Sequence, residues 1–165
     1  MKTVLRIVVV VVLIAACIGS ESLGAVFDGP VDDGWHTWQV RAADGGELQI
    51  YVSIESGEPV QFRLRSNSIC SGNFDVDATD LGFIDVDESI DWLQTYIEPR
   101  SRLGSDIIMA ISLHSGARPV VILATIVKTQ TDREIREEAL FWLGQSDSDA
   151  AFDVFDRLLS GNASM

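Results

Sequence analysis

Basic residues are scarce in this sequence. Twelve Lys and Arg residues face 25 Asp and Glu residues, which gives a formal net charge of −13. Lys2 and Arg6 precede every acidic residue, so removal of an N-terminal leader would make the chain still more acidic. This balance opposes nucleic-acid binding, because no Lys/Arg stripe is present to neutralise phosphates, and it opposes adsorption to anionic lipid. It favours a solvated acidic surface and is compatible with a basic partner or divalent cations.

Cysteine and histidine are also scarce, at two residues each. Cys17 and Cys70 do not make a disulfide framework. His36 and His114 have no HxxxH or CxxC companion, which opposes a zinc site. His114 is predicted in the last turn of a helix, where a positive charge would interact favourably with the helix dipole.

Catalytic motifs are absent: the sequence holds no nucleophile elbow, no glycine-rich phosphate loop and no zincin motif. The acidic segment from Asp75 to Gly82 departs from an EF-hand loop, because Asp80 stands where the sharp turn requires glycine. A strand with a wet acidic face is therefore favoured over a weak calcium site. We expect no enzymatic activity, no metal and no cofactor. The alternative is an unrecognised site that uses Cys70.

The N-terminus carries an unbroken apolar run from Ile7 to Ile18, which is shorter than the ~20 residues that span a bilayer. Together with the basic residues before it, the run is typical of an export signal. Its end, Ile14-Ala15-Ala16-Cys17, resembles a bacterial lipobox, and the resemblance implies lipidation of Cys17 after cleavage. Cleavage further along the chain and an uncleaved anchor are the alternatives. We predict a signal peptide at 1–17 and a linker at 18–34.

Residues 35–86 alternate between apolar and polar side chains, which is typical of antiparallel strands with one wet face. The residues predicted to face inward are Leu48, Ile50, Val52 and Ile54 in one strand, and Val60, Phe62 and Leu64 in the next. Weaker strands are predicted at Phe74–Ala78 and Phe83–Val86. This region predicts a small antiparallel sheet, whose apolar face needs a neighbour to cover it.

Between residues 87 and 160 the apolar period becomes helical. Asp85 is predicted to cap the first helix and Ser105 the second, and Pro119 is predicted to open the third. The short segment 161–165 is predicted to be a flexible tail.

The stretch from Thr131 to Leu159 predicts the last two helices. The apolar stripe of the first of these helices consists of Ile135, Ala139 and Leu143, close to the spacing i, i+4, i+8. Gly144 stands where this helix should end, and Ser146 or Asp147 can cap the helix that follows. The two helices should pack antiparallel, because each has a face that it cannot leave in water.

The arrangement D-x-x-I-R-x-x-A-x-x-x-L-G in this stretch resembles the second helix of a HEAT-type repeat, particularly the HEAT-like repeats of phycobilin lyases. The string ALFWLGQ is similar to bacterial exported HEAT-repeat proteins. The resemblance covers the helices and not the strands, and it implies a short α-solenoid of about two and a half helix pairs. Together with the strands that alternation predicts, we expect an α+β protein in which the sheet precedes this solenoid. It implies structural roles for Asp132, Ile135, Arg136, Ala139, Leu143 and Gly144, with Asp132 and Arg136 linking helices through hydrogen bonds. Lyase activity does not carry over, since the repeat motif is a packing motif.

Phe141 and Trp142 point about 100° apart on a helix, so one can enter the core while the other lines an outer surface. Trp142 and Trp35 are the candidate interaction residues. We expect a non-enzymatic protein-interaction or scaffold module that is exported to the periplasm, or held at the membrane only through an anchor on Cys17. It would bind an unknown protein partner through its helical-repeat surface. The alternative is an acidic envelope protein that binds cations or a small ligand.

The lipobox predicts the effect of Cys17→Ser. Two or more acyl chains hold a protein stably at a membrane, and the acidic domain would add no attraction of its own. We expect the native protein in the membrane fraction, and the variant in the soluble fraction or as an uncleaved precursor. The measurement is palmitate labelling together with fractionation. A native protein that is soluble and begins beyond Cys17 would contradict the prediction.

Overall fold

The computed structural model describes residue 23 and residues 32–67, 75–97, 102–146 and 148–161. From residue 32 onward, the described chain forms four strands and then five helices. The strands are β1 (Gly34–Arg41), β2 (Glu47–Glu55), β3 (Glu58–Arg65) and β4 (Ala78–Phe83). The helices are α1 (Val86–Gln94), α2 (Gly104–Leu113), α3 (Arg118–Thr129), α4 (Arg133–Gly144) and α5 (Asp149–Gly161). The predicted α+β class is confirmed.

The four strands form one mixed sheet in the order β3-β2-β1-β4. β2 pairs antiparallel with β1 and with β3, but β4 lies parallel to β1. The prediction of a wholly antiparallel sheet is therefore wrong. Alternation indicates which side chains face the core, but it does not indicate which strand becomes a neighbour or in which direction. β4 also lies between the two weaker strands that the sequence predicts.

One face of the sheet is apolar and buried, as the alternation predicts. The buried side chains on this face include Trp38, Val40, Leu48, Ile50, Val52, Ile54, Phe62 and Leu64. Val60 is an exception and is 43% exposed. A shift of register after Ser53 pairs Ile54 with Pro59, so Pro59 is buried in its place. A β-bulge of this kind reverses the facing of the residues beyond it.

Aspartate side chains cap α1 and α4 where the sequence predicts them. Asp85 accepts a hydrogen bond from the backbone N–H of Asp87 at 2.9 Å. Asp132 accepts one from the N–H of Glu134, also at 2.9 Å. Each carboxylate satisfies an N–H group that has no partner within its helix.

Two other caps differ from the prediction. α2 begins at Gly104, one residue before Ser105, and its N-cap residue makes no side-chain hydrogen bond. At α5 the hydroxyl oxygen of Ser148 accepts a hydrogen bond from a backbone N–H in the first turn, at 3.3 Å. The cap of α5 is therefore Ser148 and not Ser146, while Asp147 lies outside the described residues.

The core consists of two adjoining clusters of buried side chains. The first lies between the apolar face of the sheet and helices α1 and α2. It includes Trp38 and Trp92, whose rings pack edge to face with centroids 5.4 Å apart. Leu23, from the stretch predicted to be a linker, is fully buried in the same cluster. The second cluster joins α2 to α3, α4 and α5.

Helix α2 belongs to both clusters. Ile107 and Ile111 pack in the first cluster and Ile108 packs in the second. Of the residues of α2, Ser105 alone is exposed, and the others are buried or half-buried. A helix that is buried on two sides has no broad wet face, which explains why the apolar residues of α2 form no single stripe.

A buried chain of hydrogen bonds joins the sheet to the first two helices. The indole Nε1–H of Trp38 donates to Oγ of Ser89 in α1 at 2.9 Å, and this oxygen lies 2.9 Å from Nε2 of His114. Nδ1 of His114 lies 2.7 Å from the carbonyl oxygen of Ala110. A carbonyl oxygen can only accept, so Nδ1 carries the proton and the Ser89 hydroxyl donates to Nε2. A neutral imidazole thus satisfies every group in the chain.

The prediction that His114 is a favourable cation at a helix end is wrong. The residue is 1% exposed, and this burial lowers its pKa from 6.5 to about 4. The hydrogen bond to the Ala110 carbonyl raises the pKa and only partly opposes the effect of burial. A second proton, on Nε2, would also take away the acceptor of the Ser89 hydroxyl. A buried polar group that loses its partner is destabilising.

This linkage predicts that acid destabilises the fold through His114. The unfolded state takes up a proton near pH 6.5 and the folded state only near pH 4. Stability is therefore complete above pH 6.5 and falls by about 2–3 kcal/mol on the way down to pH 4.5. Urea unfolding at pH 7 and pH 4.5 measures this loss of stability. The His114→Gln variant should not show the part of the loss that comes from His114. Carboxylates titrate in both proteins, so the difference between them isolates His114. Equal losses in the two proteins would contradict the assignment.

Candidate functional site

Two of the predicted motif residues make hydrogen bonds at the turn between α3 and α4. Besides its first bond, Asp132 accepts a longer one from the N–H of Ile135 at 3.4 Å. Nη1 of Arg136 donates to the carbonyl oxygens of Gln130, at 3.1 Å, and Thr131, at 3.4 Å. Gln130 is the C-cap of α3, where carbonyl groups lack partners within the helix. The two side chains therefore fix the start of α4 to the end of α3.

The remaining motif residues pack against neighbouring helices. The buried residues of α4 are Ile135, Ala139 and Leu143, which all belong to the second cluster. Gly144 ends α4, and a Cβ atom at this position would lie 3.5 Å from the ring of Phe155 in α5. The motif thus positions α4 between its neighbours.

Trp142 lies at the surface of α4, half-buried beside the second cluster. Its indole Nε1–H donates to Oε1 of Glu138 at 2.8 Å. The ring of Phe141 packs edge to face against it, with centroids 5.2 Å apart, and is 55% exposed. Leu140 is exposed as well. α4 therefore presents apolar side chains to solvent, and the indole among them is held in one orientation.

Trp142 lines a cleft of about 510 Å³. The cleft lies between the β1–β2 turn, the end of α2, the start of α3 and the segment that joins α4 to α5. Its lining mixes apolar and polar side chains, among them Leu113, Pro119, Leu123, Asp44, Gln145 and Ser148. A concave surface of this size, with an aromatic wall and a few polar groups, is typical of binding sites.

Trp35, the other candidate interaction residue, lies on a different surface. It is half-buried on the outer face of the sheet, in register with Ser53 of β2 and Ala78 of β4. It stands near the start of β1, whereas the turn that lines the Trp142 cleft follows the end of β1. The structure therefore does not bring the two tryptophans together.

The contact between Ser89 and His114 is not predicted by the sequence. An Oγ–Nε2 distance of 2.9 Å would suit a nucleophile and its base. However, Ser89 is fully buried and His114 is 1% exposed, so a substrate has no access to the serine hydroxyl. The role of the pair is structural. Because the two residues are far apart in sequence, no local pattern could have indicated the contact.

Several predicted features lie outside the described residues, namely the signal segment, Cys17 and Cys70. In the acidic segment considered as a calcium loop, Asp80 accepts a hydrogen bond from the N–H of Gly82 at 2.9 Å, within β4. Among the described residues, no three His, Cys, Asp or Glu side chains are grouped so that they could hold a metal ion. None of the helices described is long and apolar enough to cross a membrane.

No protein-family model, curated protein or solved structure matches the chain.

Proposed function

We propose that the protein is a non-enzymatic interaction module of the cell envelope, which binds a protein partner through the surface of a short HEAT-like helix stack. The observation that carries this proposal is Trp142, which lines the cleft and packs against the exposed ring of Phe141. Aromatic side chains beside a pocket dominate the energetics of many protein interfaces. A rigid pair also loses little conformational freedom when a partner binds.

The helix contacts support the proposed stack. α3 packs against α4, and α4 packs in turn against α2 of the preceding pair. On the other side of the stack, Arg118 of α3 forms ion pairs with Asp87 and Asp91 of α1. α5 packs against α3. In a helix-pair solenoid the first helices form one layer and the second helices another, and α1, α3 and α5 with α2 and α4 follow that order.

A close approach of α2 to α4 also supports this arrangement. Gly104 of α2 allows it, because a Cβ atom there would overlap with Cδ1 of Ile135 in α4. Ala139 of α4 is fully buried in the second cluster, to which Ile108 of α2 also belongs. The two helices thus pack where one of them has no side chain.

The chemistry of the cleft indicates the kind of partner. Apolar side chains and the carboxylate of Asp44 line the cleft, and Glu138 accepts a hydrogen bond from the indole of Trp142. The whole chain carries a net charge of −13. A partner that inserts an apolar side chain and surrounds it with basic residues is complementary in both respects. The proposed location is the periplasm, where the protein is either free or attached to the membrane at Cys17, and this part of the proposal depends on the signal segment.

The first prediction tests the binding surface with two matched variants. Phe141→Ser removes an exposed aromatic ring from the helical surface, and Phe83→Ser removes one of similar exposure, 51%, from the outer face of the sheet. The native protein should capture a partner from envelope extract. We expect Phe141→Ser to capture at least tenfold less of this partner, and Phe83→Ser to capture as much as the native protein. Quantitative mass spectrometry of the captured proteins measures the difference. Retention by Phe141→Ser would place binding elsewhere.

The second prediction tests the approach of α2 to α4. Gly104→Ala should lower the free energy of unfolding by about 1–3 kcal/mol, because Ile135 is buried and its Cδ1 cannot swing into solvent. Ile135→Val removes Cδ1 and should cost about 0.5–1.5 kcal/mol alone. The double variant should lose less than the sum of the single losses, by about 1 kcal/mol.

The matched control for this cycle is Gly144→Ala. A Cβ atom there lies at an ordinary contact distance of 3.5 Å from Phe155, so stability should change little. Urea unfolding measures all four variants. Strictly additive losses in the cycle would mean that Gly104 and Ile135 are not in contact.

A further inference from the structure

The outer face of the sheet carries one row of side chains that crosses all four strands. Arg65 of β3 is in register with Gln49 of β2, and Gln49 is in register with Gln39 of β1. Gln39 is in turn in register with Phe83 of β4. Since neighbouring strands lie about 4.8 Å apart, the row is about 14 Å long. It places a guanidinium group, two amides and an aromatic ring in one line.

Phe83 reaches this face because of a local irregularity in β4. Thr37 of β1 pairs with Asp80 of β4, but Gln39 pairs with Phe83. β4 therefore has one more residue than β1 between these two pairs. Gly82 lies in the bulge that contains the extra residue. Its φ is +75°, a value that favours glycine, and its N–H donates a hydrogen bond to the carboxylate of Asp80. Without this bulge, alternation from the half-buried Leu81 would turn Phe83 toward the core.

The row forms the floor of a groove of about 480 Å³, which we name the outer-face groove. Its lining residues beyond the row include Arg41, Glu47, Gly46, Ser66 and Asn67. Asn67 packs directly over Gly46, where a Cβ atom would lie 2.8 Å from its side-chain nitrogen. The turn between β1 and β2 and the residues after β3 therefore form one continuous wall.

The charge of the groove is opposite to that of the molecule. Arg41 and Arg65 line it together with one carboxylate, that of Glu47, which is in register with Arg41, although the chain has about half as many basic as acidic residues. Among the residues that the structure describes, neither guanidinium has a carboxylate within 4.0 Å, in contrast to Arg118 and Arg133. Two cations without ion pairs in an acidic protein provide a local site for an anion.

We infer that the outer-face groove binds a carboxylated sugar, such as a uronic acid, or a similar polyhydroxylated carboxylate. This inference goes beyond the proposed protein-binding function and concerns a different face of the molecule. The groove volume lies within the range of ~300–1,000 Å³ found for small-molecule sites. Its location on paired strands provides a rigid frame.

Each part of the ligand matches a group in the groove. A guanidinium fork fits the two oxygens of a carboxylate, and two forks are available. The amides of Gln39, Gln49 and Asn67 each offer a donor and an acceptor, which suits neighbouring hydroxyl groups. The exposed ring of Phe83 offers a face whose negative charge attracts the C–H groups of a sugar ring. The carboxylate of Glu47 accepts from a hydroxyl and disfavours a ligand with several negative charges.

The test is a titration of the purified protein with D-glucuronate, with D-glucose as the neutral match. The side-chain amide signals of Gln39, Gln49 and Asn67, followed by NMR, report binding in the groove. We expect saturable shifts with glucuronate and binding at least tenfold weaker with glucose. Inorganic phosphate tests whether any anion binds in the groove, and L-glutamate tests whether a carboxylate binds without the hydroxyl groups of a sugar. Shifts of equal size at the same concentration of phosphate, or tighter binding of glutamate, would overturn the assignment, as would the absence of shifts with glucuronate.

Three variants locate the site. Arg65→Gln should weaken glucuronate binding at least tenfold, while Arg133→Gln, which removes an exposed cation of α4, should change it less than twofold. Equal effects would show a response to net charge alone and would overturn the inference. Phe83→Ser should weaken binding several-fold and Phe141→Ser should not. The two phenylalanine variants are expected to have the opposite effects on capture of a protein partner, so failure of one proposal is distinguishable from failure of the other.

Discussion

Helix α2 is buried between the sheet on one side and α4 on the other, and both of these neighbours cover an apolar surface by packing against it. Ile107 and Ile111 pack toward the sheet, while Ile108 joins the second cluster. Neither neighbour could leave its apolar face in water, since a small sheet and a short helix stack both need a covering layer. The sheet therefore covers α1 and α2. This explains how a chain of this length combines two kinds of layer in continuous packing.

Polar groups reinforce the same junction. Trp38 of the sheet, Ser89 of α1 and His114 after α2 form one directional chain of hydrogen bonds. The backbone of Ala42 also pairs with that of His114, beyond the end of β1. A buried chain of this kind is favourable only when each donor has its acceptor, so it specifies one relative position of sheet and helices. Apolar packing alone would allow small sliding movements between the layers.

The parts of the fold that the sequence predicts correctly are those that local physics determines. The inward residues of β2 follow from alternation, and the start of α4 follows from a carboxylate that can cap N–H groups, at Asp132. The parallel pairing of β4 does not follow, because it depends on a neighbour distant in sequence. Bulges at Pro59 and Gly82 each change which residues face outward. A pattern of period two cannot indicate where an extra residue will be placed.

The same limit applies to the two candidate surfaces. Trp142 can be identified from the sequence, because it is an aromatic residue that lies at an angle to the buried stripe of α4. Its half-buried position follows from that angle. The row from Arg65 to Phe83 could not be found in this way, since its members come from four strands and none is unusual in its own segment. Only the sheet register assembles them. Once assembled, they give an acidic protein a basic groove on the face that points away from the helices. A sheet that is covered on one side can present a different chemistry on the other, because its alternate side chains are free of the core.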